Sequence, residues 1–394
     1  MTATPRSRLL DAIGVRFRAD FGEAPFRRFF APGRINLVGA HLDYNGGDVL
    51  PMAVDRGIYL AIRPRRDARL RLRSLDQGLT VDIEAKDVGE RTRPELGWTG
   101  YPLGVWHGFQ QSTGMRTGFD AVFAGDLPMA SGLSSSAAIE VVTALALDAL
   151  HGTKLERQQL ALLAHRAETG FVGVRCGIMD QFASALGRAG QVLLLHCAGP
   201  RWEHVPFDPN ACEVLVLDTK KPRLLAKSGF NERVAQCATA HEILRTHVRD
   251  LPHLALYTVA DLEQSRSAMD DLTFRRARHV VTEMERTRDG ARALRSHDYA
   301  ALGALLNASH RSTASDYEVS CDELDVITAA ARACEGVFGA RLTGAGFGGC
   351  AIALLHPGAA DAVRAHVAPI YRARFGSEAG FDLLRNGTGP CEIT

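Results

Sequence analysis

Apolar and polar positions along this chain change period several times, and each change marks an element. The first fifty residues read as a helix, a strand and then a loop rich in Gly, Asn and Asp. Short runs at 58–64, 69–75, 80–83 and 119–124 carry strand patterning. After Ser134 the spacing becomes helical, with Ala138, Val141, Val142, Leu145 and Ala149 on one face. A second helix is expected over 155–169 and strands over 191–196 and 213–218. Long helical patterns follow at 231–248, 273–288 and 297–309, then glycine-rich turns and a strong strand at 350–355. Strands and helices mix without a steady βαβ rhythm, which argues for an α+β fold in both halves. Prolines and polar residues concentrate at 200–211 (PRWEHVPFDPNA), the expected junction between domains 1–205 and 206–394. There is no internal repeat and no low-complexity segment.

Composition narrows the picture modestly. At 394 residues the chain is long for one core, and two domains are the natural expectation. Its formal net charge of +1 gives no global pull toward nucleic acid or an anionic membrane, so neither is expected as a partner. The basic run at 63–73 (RPRRDARLRLR) alternates with Ala68, Leu70 and Leu72, the pattern of a strand with one solvated face. Eight cysteines occur singly, none as CxxC, so free buried thiols in a reducing compartment are expected over disulfides or zinc. The N-terminus lacks the apolar core of a secretory signal. The apolar stretch 137–150 is interrupted by Glu140 and Asp148 and is too short to cross a bilayer. A cytoplasmic protein, monomeric or weakly oligomeric, is the expectation.

Four segments carry candidate chemistry. In PMASGLSSSAA (128–138) a glycine sits inside a serine-rich turn that leads straight into a helix. Small residues let backbone N–H groups approach a ligand, and the helix N-terminus favours an anion, so phosphate binding is expected; a plain serine cap is the alternative. No GxxxxGK[ST] loop and no protein-kinase HRD or DFG set is present. In GIMDQ (177–181), Asp180 lies among apolar neighbours and needs a partner if buried, though a helix-capping aspartate would look the same. The run GARLTGAGFGGC (339–350) permits close backbone approach to a ligand, or is only a tight turn between strands. The fourth segment is APGRINLVGAHLDYNGGDVLPMA (31–53).

Taken in order, these segments resemble the GHMP small-molecule kinases, and 31–53 together with GIMDQ resembles the galactokinase branch. The resemblance covers most of the chain, from Arg34 to Gly349. It implies a ribosomal-protein-S5-domain-2-like N-terminal domain and a ferredoxin-like C-terminal domain, with ATP and a sugar in the cleft between. By that resemblance Ala130, Ser131, Gly132, Leu133, Ser134, Ser135 and Ser136 line the triphosphate. Ser136 and Glu168 would hold Mg²⁺, although Glu168 taken alone reads as a surface charge. Asp180 would be the general base beside the anomeric hydroxyl, and Arg34 the cation that keeps it ionised. His41, Asp43 and Gly177 would meet the sugar, whereas His310 and Cys321 read as packing residues.

In the nucleotide loop Ala130 and Ser131 stand where glycine and a small residue are common, and on the sugar side two further positions depart from the family pattern. Ala40 stands where a glutamate near the C6 hydroxyl is usual, and Phe230, in GFNER, where a tyrosine is usual. A charge-assisted hydrogen bond is worth roughly 1.5–3 kcal/mol, so losing one weakens galactose binding about tenfold or more. The expected activity is transfer of the ATP γ-phosphate to C1 of galactose. The alternatives are a kinase for galacturonate or L-arabinose, or a sugar sensor without catalysis.

Overall fold

The computed structural model describes residues 4–128, 132–222 and 226–393. The first half is organised on a six-stranded sheet whose centre is the antiparallel pair Arg27–Asn36 and Pro51–Pro64. Eight consecutive residues of the first strand are buried, and a register shift between Pro32 and Arg34 bends it. Phe119–Gly125 extends the sheet, followed by Arg69–Ser74 and Val81–Glu84. Cys391–Ile393 pairs with the opposite edge, so the end of the chain returns to the first sheet. The Ser135–His151 helix buries Ala138, Val141 and Val142 in the core shared with Leu60, Ile62 and Phe119.

The basic run behaves differently from a merely solvated strand face. Leu70 and Leu72 are fully buried as the alternation requires. On the other face Arg63, Arg65 and Arg71 converge on the buried carboxylate of Asp120, at 2.6, 3.0 and 2.6 Å. Their charge is answered inside the protein.

Residues 200–211 are not a bare connection: Arg201–Pro206 is a strand, paired with Gln191–His196 in a three-stranded sheet that also holds Asp48–Val49. The second half carries a four-stranded antiparallel sheet in the order Val337–Leu342, Cys350–Leu355, Glu213–Asp218, Gly380–Leu384. Every residue of Cys350–Leu355 is buried. The helix Asp271–Arg295 is longer than the 273–288 pattern. Its cap Asp270 accepts from the Thr273 amide at 2.6 Å, which sets its start. It buries Arg276, His279 and Glu283 along with its apolar residues, which an ordinary amphipathic surface helix does not do. All eight cysteines are free thiols. No helix among the described residues is long and apolar enough to cross a membrane.

Candidate active site

The serine-rich turn and the first strand meet through the backbone. Arg34 donates its amide to the Leu133 carbonyl at 3.0 Å and its Nη1 to the Gly132 carbonyl at 2.6 Å. Gly33 allows this approach, because a Cβ there would lie 2.7 Å from the Leu133 carbonyl oxygen. Ser134 adopts a left-handed conformation (φ 58°) just before the helix begins at Ser135. Its hydroxyl donates to Asp180. Ala130 and Ser131 lie outside the described residues.

Asp180 sits in the first turn of the helix Met179–Leu186, yet its carboxylate does not cap that helix. Instead Arg34 Nε and Nη2 each donate to it at 2.7 Å, one to each oxygen. A bidentate guanidinium fixes both the charge and the orientation of a carboxylate. Arg34 is buried, while the Asp180 side chain keeps 29% of its surface exposed toward the cleft.

Glu168 is not a surface charge. It lies in a π-helical turn, Ala167–Val172, and is buried. It accepts hydrogen bonds from the Ser136 hydroxyl and from Gln181 Nε2, the latter at 2.5 Å. Gln181 Nε2 also donates to Glu140 at 3.0 Å. The second carboxylate oxygen of Glu140 and the carboxamide oxygen of Gln181 are buried without a hydrogen bond. Burial, reinforced by the charge of Asp180, pushes the Glu168 carboxyl up; burial and then Glu168 push Glu140 up further. A hydroxyl, a carboxylate and uncompensated oxygens fit a hard cation such as Mg²⁺. Among the described residues no group of three or more His, Cys, Asp or Glu is arranged to hold an ion alone. Phosphate oxygens and water would have to complete the shell, as Mg²⁺ usually prefers.

The sugar-side candidates are packed more tightly. Gly177 lies against Asp43, where a Cβ would stand 2.3 Å from Oδ2. Burial and the neighbouring charge of Asp180 push the Asp43 carboxyl up to about 6. His41 is buried, 4.8 Å from the Tyr317 ring and 5.9 Å from Phe230. Its Nδ1 is 2.8 Å from the Tyr44 hydroxyl, which is 2.8 Å from that of Tyr317. Burial pushes the imidazole down to about 3, so it is neutral. Ala40 is buried, and the peptide groups on either side of it are bound by the helix Asp271–Arg295.

A cavity of about 580 Å³ opens beside the serine-rich turn and the Arg34–Asp180 pair. Arg34, Asp180, Ser134, Ser136, Glu168 and Phe230 border it, and so do Gly344 and Ala345. The glycine-rich run therefore satisfies both readings: it turns the chain between two strands and also faces the cleft. Ala40, His41, Asp43 and Gly177 do not border the cavity. His310 is a packing residue, bonded to Asp325 and to the Leu342 amide.

An adjoining cavity of about 470 Å³ shares Tyr101, Leu127, Pro128, Ser135 and Ser136 with the first. Trp98, Phe123 and Ile139 supply apolar walls, and Asp76 and Gln77 supply polar groups. Flat apolar walls with a few polar groups suit a nucleobase. Asp76, Gln77, Trp98, Tyr101, Phe123 and Ile139 fall in no motif, and the helix Gly100–Thr113 that carries Tyr101 has no clear period. The one available signal was Trp98 and Tyr101 close together in a glycine-containing stretch.

A serine-rich helix start beside a guanidinium–carboxylate pair, in a cleft bordered by both α+β halves, defines a small-molecule kinase of the GHMP type. The GHMP kinases N terminal domain matches residues 100–188, and the GHMP kinases C terminal domain matches 291–371. The galactokinase galactose-binding signature matches 15–64. The chain is 39% identical to a galactokinase of Exiguobacterium sibiricum over 96% of each chain. It is 41% identical to one of Streptococcus thermophilus over 86% of this chain and 88% of that one. The structure of Lactococcus lactis galactokinase complexed with galactose superposes with a TM-score of 0.93 at 34% identity, covering 98% of this chain and 100% of that one. Methanococcus jannaschii mevalonate kinase (TM-score 0.66, 18% identity, covering 93% and 99%) shares the fold. The chain belongs to the galactokinase family.

Proposed function

We propose that the protein is an ATP-dependent sugar 1-kinase that transfers the γ-phosphate to the anomeric hydroxyl of galactose. The observation that carries this reading is the pair Arg34–Asp180, held at 2.7 Å where the serine-rich turn meets the sugar-side segment. A hydroxyl is a weak nucleophile until its proton is accepted, and Asp180 is the carboxylate placed to accept it. Arg34 keeps that carboxylate ionised and offsets charge on the transferring group. The turn through Ser136 binds the triphosphate with backbone N–H groups, and the cavity beside Trp98 takes the base. Ser136 and Glu168 would hold Mg²⁺, which supplies charge neutralisation on the phosphates. Positioning and electrostatics then do most of the work.

A second reading concerns the sugar's C6. Ala40 offers no carboxylate there and Phe230 no hydroxyl, which would admit galacturonate or L-arabinose as acceptor. Initial rates with ATP against galactose, galacturonate, arabinose, talose and glucose decide between them. Galactose is expected to give the highest kcat/KM. A higher value for galacturonate or arabinose would move the assignment to that sugar, and binding without ADP release would leave a sensor.

A further inference from the structure

Ala40 has no side-chain handle, and it sits between two residues of positive φ: Gly39 at 102° and His41 at 60°. A non-glycine residue in that region persists only where its surroundings fix it. Here the fixing groups come from far along the chain. Glu283 Oε1 accepts the amides of Gly39 and Ala40, each at 3.0 Å, and the Ser309 hydroxyl at 2.6 Å. Two successive N–H groups converging on one oxygen form a small anion nest. The carboxylate is completely buried; Arg286 Nε lies 2.6 Å from its other oxygen, and Arg341 Nη1 lies 3.9 Å from Oε1.

One turn earlier on the same face, His279 Nε2 is 3.1 Å from the Ala40 carbonyl. A carbonyl only accepts, so Nε2 carries the proton, and Nδ1 accepts from the Ser312 hydroxyl at 2.8 Å. Burial holds the imidazole down at about 4, which keeps this neutral form. One turn later, Thr287 Oγ1 would stand 3.2 Å from a Cβ at Gly39. The His279 ring also packs 4.4 Å from Tyr317, whose hydroxyl reaches His41 through Tyr44.

We propose, on the reading above of residues 40–43 as the sugar side, that Glu283 and His279 are positioning residues for sugar binding. They clamp the Ala40 peptide from both sides and so fix the strained turn that carries His41 and Asp43. Packing of the two halves alone would not require hydrogen bonds to both the amide and the carbonyl side of one residue.

His279→Leu removes the donor, whereas His279→Gln can restore one at the Nε2 position. Sugar KM, with the sugar the wild type uses best, is expected to rise about tenfold in His279→Leu and to stay within about threefold in His279→Gln. ATP KM is expected to remain within about twofold in both. Equal rises in both KM values, or no rescue by glutamine, would overturn the positioning role. Should His279→Leu not fold, Ser312→Ala removes the hydroxyl that meets His279 Nδ1, along with its longer contact to Asp316, and the same split at about threefold is expected. An unsplit effect there would overturn the role equally. Hydrogen exchange of residues 37–44 in the sugar-free protein reads the clamp without reference to any substrate. Faster exchange than wild type in the folded variant is expected, and unchanged exchange would overturn the clamp. A wild type that phosphorylates none of the five sugars would overturn the substrate reading, a result the exchange experiment keeps separate.

Discussion

The two sides of the cleft meet at Asp180 and are built by opposite means. On the proposed phosphate side the candidate groups come from one contiguous segment, with a left-handed Ser134 and a helix start. Its groups face an open cavity. On the proposed sugar side, packing gathers Ala40, His41, Asp43, Gly177, Phe230, His279, Glu283 and Tyr317 from distant parts of the chain, and most of them are buried. A charged, hydrated ligand such as a triphosphate can be met by backbone dipoles on one local element. A neutral sugar has to be recognised by side chains whose positions are fixed by packing around them.

The largest expected effect comes from the residue both sides share. Asp180→Asn leaves Arg34 one of its two acceptor oxygens and removes the base, and kcat should fall about 10³-fold. Sugar affinity measured by calorimetry should remain, and appreciable residual turnover would show that proton acceptance is not its task.

A change confined to the phosphate side should separate from the sugar side. Glu168→Gln is expected to raise the Mg²⁺ concentration for half-maximal rate by about 10–100-fold, with sugar affinity unaltered. An unchanged Mg²⁺ titration would remove Glu168 from the metal site and blur the division between the two faces.

The smallest effect is a pH dependence on the sugar side. With its carboxyl at about 6, Asp43 is mainly ionised at pH 7 and mainly protonated at pH 5. Sugar affinity without nucleotide should therefore drop about tenfold across that interval, because the acid accepts fewer hydrogen bonds from sugar hydroxyls. The sign for stability is opposite. A carboxyl whose pKa is raised by folding stabilises the fold as pH falls below 6, so the loss of affinity is not unfolding driven by Asp43. A pH-independent affinity between 5 and 7 would place Asp43 away from the sugar.

How much was legible in the sequence follows the same division. The strands at 191–196, 213–218 and 350–355 fall where the apolar pattern placed them, since continuous burial leaves a continuous apolar run. The segment 200–211 read as a linker because Pro, Asp and Asn mark turns, yet pairing with Gln191–His196 makes Arg201–Pro206 a strand. Glu168 read by itself as a solvated charge, because nothing local reveals that Gln181, Cys176 and Ser136 surround it. The cavity at Trp98 leaves no local signature for the same reason: its walls come from five separate stretches of chain.

Local spacing and contiguous motifs carried the α+β class and the family, and the same motifs made the serine-rich turn, Arg34, Asp43 and Asp180 candidates for the site. Only the tertiary structure decided that Arg34 grips both oxygens of Asp180, that Glu168 is buried beside Ser136, and that Ala40 is held by a helix more than two hundred residues away in sequence. Those facts depend on which surfaces the fold brings together, and burial, charge pairing and backbone strain come into being only when it does.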